Sequence, residues 1–471
     1  MRTVPGKAHI NTAGEGRASG APVRRARSSR RSSRASRAVG STYTVLPKSG
    51  YALMLFVLVL LSISRIHQHF GFLAALRPAL VLVIAAFGLA FLAPSGLAYR
   101  NLRSPPAKLM LAIVGMACIS VPFGISMGGS ARFLLDTYFK VILAYVLVML
   151  ALRGPREIYQ FTWAWVLACG ILTWMATFVF RLGSAGGVRR LGGLYTYDSN
   201  DLGLVLIIGI PLTIALFEVS GRYGRSVCAG ILLLTGLSLA RSGSRGAFVG
   251  LIVVGAAFLW QASHIQVRHR LTAVAVIAAA LIAAAPFGYW EQIESLTRPT
   301  EDYNWEAETG RRMIALRGLS YMAERPLSGL GVSNFPKAEW TISEMAQDEF
   351  RERGIKGSAA HNTWLQAAAE MGVPGLILWV MFVFGTMFTV GREGRRLPPS
   401  WRRGDPEQQV LFASARYLPL SILGFATTSL FVSFAYLDPM YYLAAMSAAV
   451  LVSIRRKKAL LERRRVARPP V

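Results

Sequence analysis

The chain has 471 residues, of which 53% are hydrophobic, and a formal net charge of +28 at pH 7. Its apolar runs last about 16–25 residues, long enough to cross a hydrocarbon core of about 30 Å as helices. The basic residues gather in the two terminal segments and in short loops, the pattern of membrane proteins that obey the positive-inside rule, so we expect no nucleic-acid partner.

The N-terminal tail, residues 1–49, holds eleven Lys and Arg residues and little that could build a core. We expect a disordered cytoplasmic segment that fixes orientation and contacts anionic membrane lipids. A regulatory or partner-binding role is the alternative. The C-terminal tail, residues 455–471, holds eight more Lys and Arg residues, so we expect both termini to be cytoplasmic.

Hydropathy predicts an all-α polytopic membrane protein of about twelve transmembrane helices. Nine would lie within residues 50–290 and three within residues 362–454. The predicted spans lie near 50–66, 78–94, 108–127, 133–152, 160–180, 199–219, 226–240, 246–262, 271–290, 362–390, 411–434 and 439–454. Cys118, Cys169 and Cys228 fall inside predicted spans, where we expect buried and unpaired side chains.

The distribution of positive charge makes some arginines unusual. Segments predicted on the inner side carry 33 Lys and Arg residues, whereas short segments predicted outside carry eight. Because selection disfavours outward positive charge, each of these eight invites a functional interpretation. They are Arg65, Arg77, Arg132, Arg181, Arg189, Arg190, Arg241 and Arg245.

One long outward-facing loop, residues 291–361, differs from the others because its charge is nearly balanced, with twelve acids and nine Lys or Arg residues. From Arg311 to Glu324, apolar residues recur at mostly helical spacing, which predicts an amphipathic helix on the spans or at the membrane interface. These apolar residues are Met313, Ile314, Leu316, Leu319 and Tyr321.

His361 ends this loop, at the outer mouth of a predicted span. Near neutral pH, an imidazole placed there can accept a proton from a substrate hydroxyl. An interfacial histidine that caps the helix is the alternative, and the residue alone does not separate the two. Asn362 follows at once, and Glu370, Gly372 and Gly375 lie further along the same span.

Two outward segments carry paired arginines. Arg241 and Arg245 flank a Ser-Gly-Ser turn, where two guanidiniums could bind phosphate through bidentate hydrogen bonds; arginines that only reach lipid headgroups are the alternative. Arg190 precedes a second polar segment in which Asp198 could simply cap a helix. Asn200 stands at the start of the span that follows.

Arg311 and Arg312 begin the predicted loop helix, where the helix dipole disfavours cations. That placement suggests an anionic partner, and ion pairs with Glu306 or Glu308 are the alternative. Elsewhere, His67-Gln68-His69 lacks a nearby carboxylate and is a weak candidate for a metal site, while Arg132, Asp136 and Lys140 form a charge ladder at a predicted span end.

These features together resemble the O-antigen ligase superfamily. His361-Asn362 followed by Gly372 and Gly375 resembles the signature at the end of its large periplasmic loop, and the stretch from Gly310 to Phe335 resembles its loop helix and glycine turn. The Ser244–Ala247 turn and the Arg190–Gly203 segment are similar to its two other outward arginine motifs. The resemblance extends over residues 180–380.

The resemblance implies a GT-C-like glycosyltransferase that works without a metal or other cofactor at the periplasmic face of the bacterial inner membrane. The superfamily includes O-antigen ligases, O-antigen and exopolysaccharide polymerases, and protein O-oligosaccharyltransferases. The donor would be a glycan linked to undecaprenyl pyrophosphate, and the acceptor would be lipid A-core or a growing polysaccharide. The long basic tail departs from the usual short N-terminus.

Under this resemblance His361 would accept the proton of the acceptor hydroxyl. Five arginines would hold the pyrophosphate, namely Arg190, Arg241, Arg245, Arg311 and Arg312. Five further residues would support the site, namely Asn200, Asn362, Glu370, Gly372 and Gly375. A ligase and a polymerase differ only in the acceptor, and we place the ligase first. A polysaccharide flippase or transporter is the more distant alternative. Such a protein should carry charges near the midplane of several spans, whereas this sequence concentrates its charge at the outer ends of the spans.

Overall fold

The computed structural model describes most of the predicted spans and part of the long loop. The described residues are 43–185, 188–192, 196–261, 266–268, 271–272, 275, 285, 289–294, 310–343, 347, 351 and 359–466. Most of the predicted N-terminal tail, most of the ninth predicted span, much of the predicted loop and the last five residues lie outside this part of the chain.

Almost all described elements are helices. The first six are α1 (Gly50–Ser64), α2 (Gly71–Ala75), α3 (Pro78–Leu92), α4 (Pro105–Phe123), α5 (Met127–Ala151) and α6 (Pro155–Phe178). Two antiparallel strands follow, β1 (Leu182–Ala185) and β2 (Val188–Leu191). The later helices are α7 (Ser199–Val219), α8 (Arg222–Ser242), α9 (Arg245–Gln261), α10 (Tyr289–Glu294), α11 (Arg311–Glu324), α12 (Phe335–Thr341), α13 (Thr363–Arg395), α14 (Pro406–Phe431) and α15 (Asp438–Val466).

Seven helices of the described chain are long and apolar enough to cross a membrane, namely α4, α5, α6, α7, α8, α13 and α14. Three shorter apolar helices, α1, α3 and α9, also coincide with predicted spans. The prediction of a helical, polytopic membrane protein is therefore confirmed, and the number twelve stays a prediction. The short hairpin formed by β1 and β2 was not predicted.

Local sequence sets where the helices begin. Asp405 caps α14: its carboxylate accepts the main-chain N–H of Gln408 at 2.9 Å, and the Gln408 side chain accepts the N–H of Asp405 at 2.9 Å. This reciprocal arrangement satisfies two N–H groups that a helix start leaves unpaired. Proline occupies the first position of α3, α4, α6 and α14, where its missing N–H costs nothing.

The centre of the bundle lies where α7 packs against α14. In each of these helices 78% of the apolar segment is buried inside the protein, against 33% in α8. Cys169 and Cys228 are buried, as expected. The prediction for Cys118 is wrong: this cysteine is exposed on α4, of whose apolar segment only 39% is buried.

The loop helix α11 has the predicted bounds, but part of its predicted apolar face is wrong. Ile314 and Tyr321 are buried as expected, whereas Leu316 and Leu319 are 50% and 49% exposed. Gly318, which lies between these two leucines, is buried instead. It packs so closely on the start of α13 that an added β-carbon would lie 2.8 Å from the Leu365 side chain. The absence of a side chain lets α11 lie close to α13.

A buried ion pair joins α11 to the next short helix. Arg317 Nη2 lies 2.6 Å from Glu339 Oε2, and Arg317 Nε donates to Glu339 Oε1 at 2.9 Å. Tyr321 donates its hydroxyl proton to the same Oε1 at 2.7 Å. Because each charge is both neutralised and hydrogen-bonded, the pair can be buried, and it fixes α11 against α12.

The long helix α13 is interrupted at Gly372. Its φ of 69° and ψ of −171° lie outside the helical region, although the helix continues on both sides. The break leaves main-chain groups free to bond elsewhere. In particular, the residue four positions after Glu370, which would donate to its carbonyl in a regular helix, is Pro374, and proline has no N–H to donate.

The glycine turn that follows α11 fills this break. The N–H of Leu330 donates to the carbonyl of Ala369 at 2.8 Å, and the N–H of Gly331 donates to the carbonyl of Glu370 at 3.0 Å. In the opposite direction, the N–H of Val373 donates to the carbonyl of Pro326 at 2.8 Å. Three main-chain hydrogen bonds therefore clamp the loop onto α13.

The side chain of Glu370 extends the clamp. It is 1% exposed, and its carboxylate accepts the main-chain N–H groups of Ser333 at 2.8 Å and Phe335 at 3.1 Å. A buried carboxylate requires such donors. Glu370 therefore holds the turn that leads into α12.

We predict that Gly372→Ala destabilises the protein by about 2 kcal/mol or more, because a side chain disfavours positive φ and this one would lie 2.5 Å from the Pro326 carbonyl oxygen. The measurement is thermal unfolding of the purified protein in detergent. Gly230→Ala, a helical change with no described atom within 4 Å of the new carbon, is the matched control and should not lower the midpoint. Equal midpoints for the two variants would contradict the clamp.

Candidate functional site

Asn362 caps α13, and this frees His361 from that role. The Asn362 side-chain oxygen accepts the N–H groups of Trp364 at 2.9 Å and Leu365 at 3.1 Å. His361 stands just before the cap with a φ of 46°, in the left-handed region that non-glycine residues rarely adopt. The helix cap is therefore Asn362 and not His361.

The surroundings of His361 favour a neutral imidazole. Burial lowers the pKa of His361 below the usual 6.5, and the neighbouring Arg311 lowers it further, while Asp198 acts in the opposite direction. A histidine that stays unprotonated at pH 7 can accept a proton. The starts of α7 and α13 lie close together, because the Tyr197 ring stacks on the Phe434 ring at 6.5 Å and the N–H of Phe434 donates to Thr363.

Thr363 ties His361 to the end of α14. Its hydroxyl donates to the carbonyl of Val432 at 2.7 Å and accepts the N–H of Phe434 at 2.9 Å. This contact brings Phe431, the last residue of α14, to the same end of the bundle. Phe431 then provides the surface on which two arginine-bearing segments meet.

The start of α7 carries a second reciprocal cap. The Asp198 carboxylate accepts the N–H groups of Asn200 at 2.6 Å and Asp201 at 2.8 Å, and Asp201 Oδ2 accepts the N–H of Asp198 at 3.0 Å. The alternative that Asp198 is an N-cap is thus correct. Asn200 Oδ1 accepts the Ser244 hydroxyl at 2.8 Å, which joins α7 to the turn before α9.

That turn places Arg245 at the first position of α9. Gly243 has a φ of 60°, and the Ser244 hydroxyl accepts the N–H of Ala247 at 3.2 Å, so Ser244 caps the helix. Gly246 lies directly against Phe431, whose ring carbon Cγ would lie 2.7 Å from an added β-carbon. Arg245 is half-buried beside this contact.

Arg311 approaches the same phenylalanine from the loop. Its Cζ lies 5.9 Å from the centroid of the Phe431 ring, within cation–π range. Phe431 therefore has Arg311 over its ring and the start of α9, with Arg245, packed beside it. Arg312, the next residue, is exposed.

The remaining predicted arginines are placed differently. Arg241 donates from Nε to the carbonyl of Ala176 at 3.2 Å and from Nη2 to the carbonyl of Phe180 at 3.4 Å, so it caps the end of α6. Arg190 lies in β2, opposite Gly183, and its side chain falls outside the described residues.

The predicted supporting residues fall into two groups. Asn200 and Asn362 position the helix starts that carry the candidate site. Glu370 and Gly372 form the clamp behind it, and Gly375 is buried one turn further along α13. These three shape the framework of the site rather than its surface.

Sequence reasoning missed a partly buried ion pair beside this site. Arg65 Nη2 lies 3.6 Å from Asp438 Oδ2, and Arg65 Cζ lies 5.3 Å from the centroid of the Tyr197 ring, next to Asp198. The sequence features that could have indicated this pair are Arg65, an outward arginine at one span end, and Asp438, at the start of the last helix. The two lie 373 positions apart along the chain, so no local pattern connects them.

Two cavities, of about 550 and 690 Å³, lie at the opposite end of the bundle. One is near Glu218 at the end of α7, and the other is near Gln261 at the end of α9. They share no residue with the cluster around His361. Their size therefore does not bear on the candidate site.

Residues 230–380, about a third of the chain, match the family model described as O-antigen ligase. This segment is similar to the O-antigen ligase family. The match confirms the predicted resemblance to that superfamily and includes Arg245, Arg311 and His361. The O-antigen ligase match begins after Arg190 and Asn200, so both lie outside it. No curated protein sequence matches the chain.

We predict that Asn362→Ala removes both cap hydrogen bonds and lowers the free energy of unfolding by about 1 kcal/mol. The amides of Trp364 and Leu365 should then exchange with deuterium faster than in the unaltered protein. Asn362→Ser, which keeps a capping oxygen, is the matched control and should exchange more slowly than the alanine variant. Unchanged exchange in Asn362→Ala would contradict the cap.

Proposed function

We propose that the protein transfers a glycan from an undecaprenyl-pyrophosphate-linked donor to an acceptor hydroxyl at the periplasmic face of the bacterial inner membrane. The observation that carries this proposal is the convergence of His361, Arg245 and Arg311 at one end of the bundle. All three lie within the segment that matches the O-antigen ligase family. The convergence joins a proton acceptor to two cations, as transfer from a pyrophosphate requires.

In the proposed reaction the acceptor oxygen forms a bond to the anomeric carbon of the donor glycan. The bond from that carbon to the pyrophosphate oxygen breaks, and its electron pair leaves with undecaprenyl pyrophosphate. His361 accepts the proton of the acceptor hydroxyl. Because the acceptor attacks opposite the leaving group, the configuration at the anomeric carbon is inverted.

The arginines would stabilise the charge that develops on the departing pyrophosphate. Arg311 lies over the Phe431 ring, and Arg245 begins the helix whose Gly246 packs against that ring. These two arginines are the principal candidates, because planar guanidiniums donate paired hydrogen bonds to phosphate oxygens. They would supply the positive charge that a divalent cation brings in other pyrophosphate-releasing reactions. Arg190, Arg241 and Arg312 stay secondary candidates, and Arg241 would have to exchange its carbonyl contacts for the phosphate.

The helix ends support the proposed orientation. The starts of α7, α9 and α13 and the helix α11 share one end of the bundle, and Glu218 and Arg402 pair at the other, with 3.3 Å between them. The basic C-terminal end of α15 lies at that second end, where Lys457 pairs with Asp405. We therefore propose that the His361 end faces the periplasm and that both termini are cytoplasmic.

The acceptor distinguishes the two members of this reaction class. A ligase joins the glycan to lipid A-core, whereas a polymerase joins it to another lipid-linked repeat. We propose the ligase reaction, because the family model that matches residues 230–380 carries that description. An O-antigen or exopolysaccharide polymerase uses the same proton transfer and the same leaving group.

We predict that His361→Ala lowers glycan transfer in membranes by at least about 100-fold, because a positioned base contributes about that much or more. Donor binding should be retained, since the arginines are untouched. His69→Ala, a histidine outside the site whose ring contacts Phe70, is the matched control and should keep full activity. Full activity of His361→Ala would contradict the assignment of the base.

The surface glycan of cells that carry only His361→Ala identifies the acceptor. Full-length glycan chains that are not attached to lipid A-core would support the ligase. Single unpolymerised repeats, or normal lipopolysaccharide with loss of a secreted polymer, would replace it with a polymerase.

We predict that Arg311→Gln moves the acidic limb of the pH profile of kcat/KM to higher pH. His361 must be neutral to accept a proton, so activity falls as the pH drops through its pKa. Arg311 lowers that pKa, and its removal should raise it. The same change at the exposed Arg312 should move the limb less. An unmoved limb in Arg311→Gln would contradict the effect of Arg311 on the pKa of His361.

A further inference from the structure

A cavity with a partly polar lining lies at the ends of α1 and α3 that are nearest to the candidate site. Its volume is about 320 Å³, within the range of cavities that bind small molecules. Residues of α1, α3, α5 and α15, and of the segment between α1 and α3, line it. Its polar lining contains Arg65, His67, Arg77, Lys140 and Asp438.

The cavity holds more positive than negative charge. Its single carboxylate, Asp438, pairs with Arg65 at 3.6 Å. Within the described chain, Arg77 and Lys140 form no ion pair. Both side chains are exposed at the mouth of the cavity, Arg77 just before α3 and Lys140 on α5, so they are open to an anionic ligand.

Two buried nitrogens in the lining lack hydrogen-bond partners among the described residues: Arg65 Nε and His67 Nδ1. His67 is only 9% exposed, so water does not readily replace the missing partner. A buried polar atom without a partner is unfavourable. An anion in the cavity would supply an acceptor for the Arg65 nitrogen and a counter-charge for Arg77 and Lys140.

The rest of the lining is apolar. Leu58, Leu80, Val83 and Val141 form walls beneath the cations. A hydrated inorganic anion would gain no stabilising contact from these apolar walls. An amphiphile would place its charged head on the arginines and its hydrocarbon along the leucines and valines. Arginine and lysine together are typical of phosphate binding.

We propose that this cavity binds the phosphate group of an anionic membrane lipid, as a site separate from the one around His361. The two sites share no lining residue. Arg65 lies over the Tyr197 ring next to Asp198, which places the cavity beside the candidate active site but behind the start of α7.

The test measures lipid binding to the purified full-length protein by native mass spectrometry, with phosphatidylglycerol as the probe. We expect Arg77→Gln/Lys140→Gln to weaken phosphatidylglycerol binding at least tenfold. Arg132→Gln/Arg181→Gln, which removes the same charge from exposed residues that do not line the cavity, is the matched control and should bind like the unaltered protein. Equal binding by all three proteins would overturn the proposal.

Two further arms separate the possible sources of the phosphate. Inorganic phosphate that competes as well as phosphatidylglycerol would overturn the assignment to a lipid, and so would equally tight binding of uncharged diacylglycerol. A photoactivatable phosphatidylglycerol on the unaltered protein keeps the test independent of the variants. It should label peptides that contain Leu58, Leu80 or Val141, and labelling confined to other helices would contradict the site.

Discussion

The candidate site depends on one interruption of a membrane helix. At Gly372 the backbone of α13 leaves the helical region, and the carbonyls of Ala369 and Glu370 accept hydrogen bonds from the glycine turn of the loop. Lipid offers no substitute for these bonds, so a broken span is stable only where protein completes its hydrogen bonding. The loop and the span therefore stabilise each other, and His361, just before the span, is held in a fixed position.

The position of the loop in turn determines which charges meet. The bidentate pair of Arg317 and Glu339 holds α11 in place, so that Arg311 at the start of that helix reaches the Phe431 ring. Three elements distant in sequence, the loop, the end of α14 and the start of α9, then share a single aromatic side chain. A base and cations can act together only if such a contact fixes them, because reactive geometry tolerates little displacement.

Much of this architecture could be predicted from the sequence, for definite physical reasons. Apolar length located the spans, and residue spacing gave the bounds of α11. The partners of these elements could not be predicted. Nothing in a Gly-Val-Pro-Gly run shows that it receives a turn formed some forty residues earlier, and nothing near Arg65 points to Asp438. Leu316 and Leu319 were expected inside for the same reason: the helical period was clear, but the close approach at Gly318 was not.

The central claim is that Arg245, Arg311 and His361 surround one pyrophosphate. The most direct measurement is a cryo-electron microscopy structure of the full-length protein with undecaprenyl pyrophosphate bound. We expect density for the two phosphates between the guanidiniums of Arg245 and Arg311, with an outer phosphate oxygen close to the imidazole of His361. Phosphate density in the cavity of Arg65, Arg77 and Lys140, with none near His361, would contradict it.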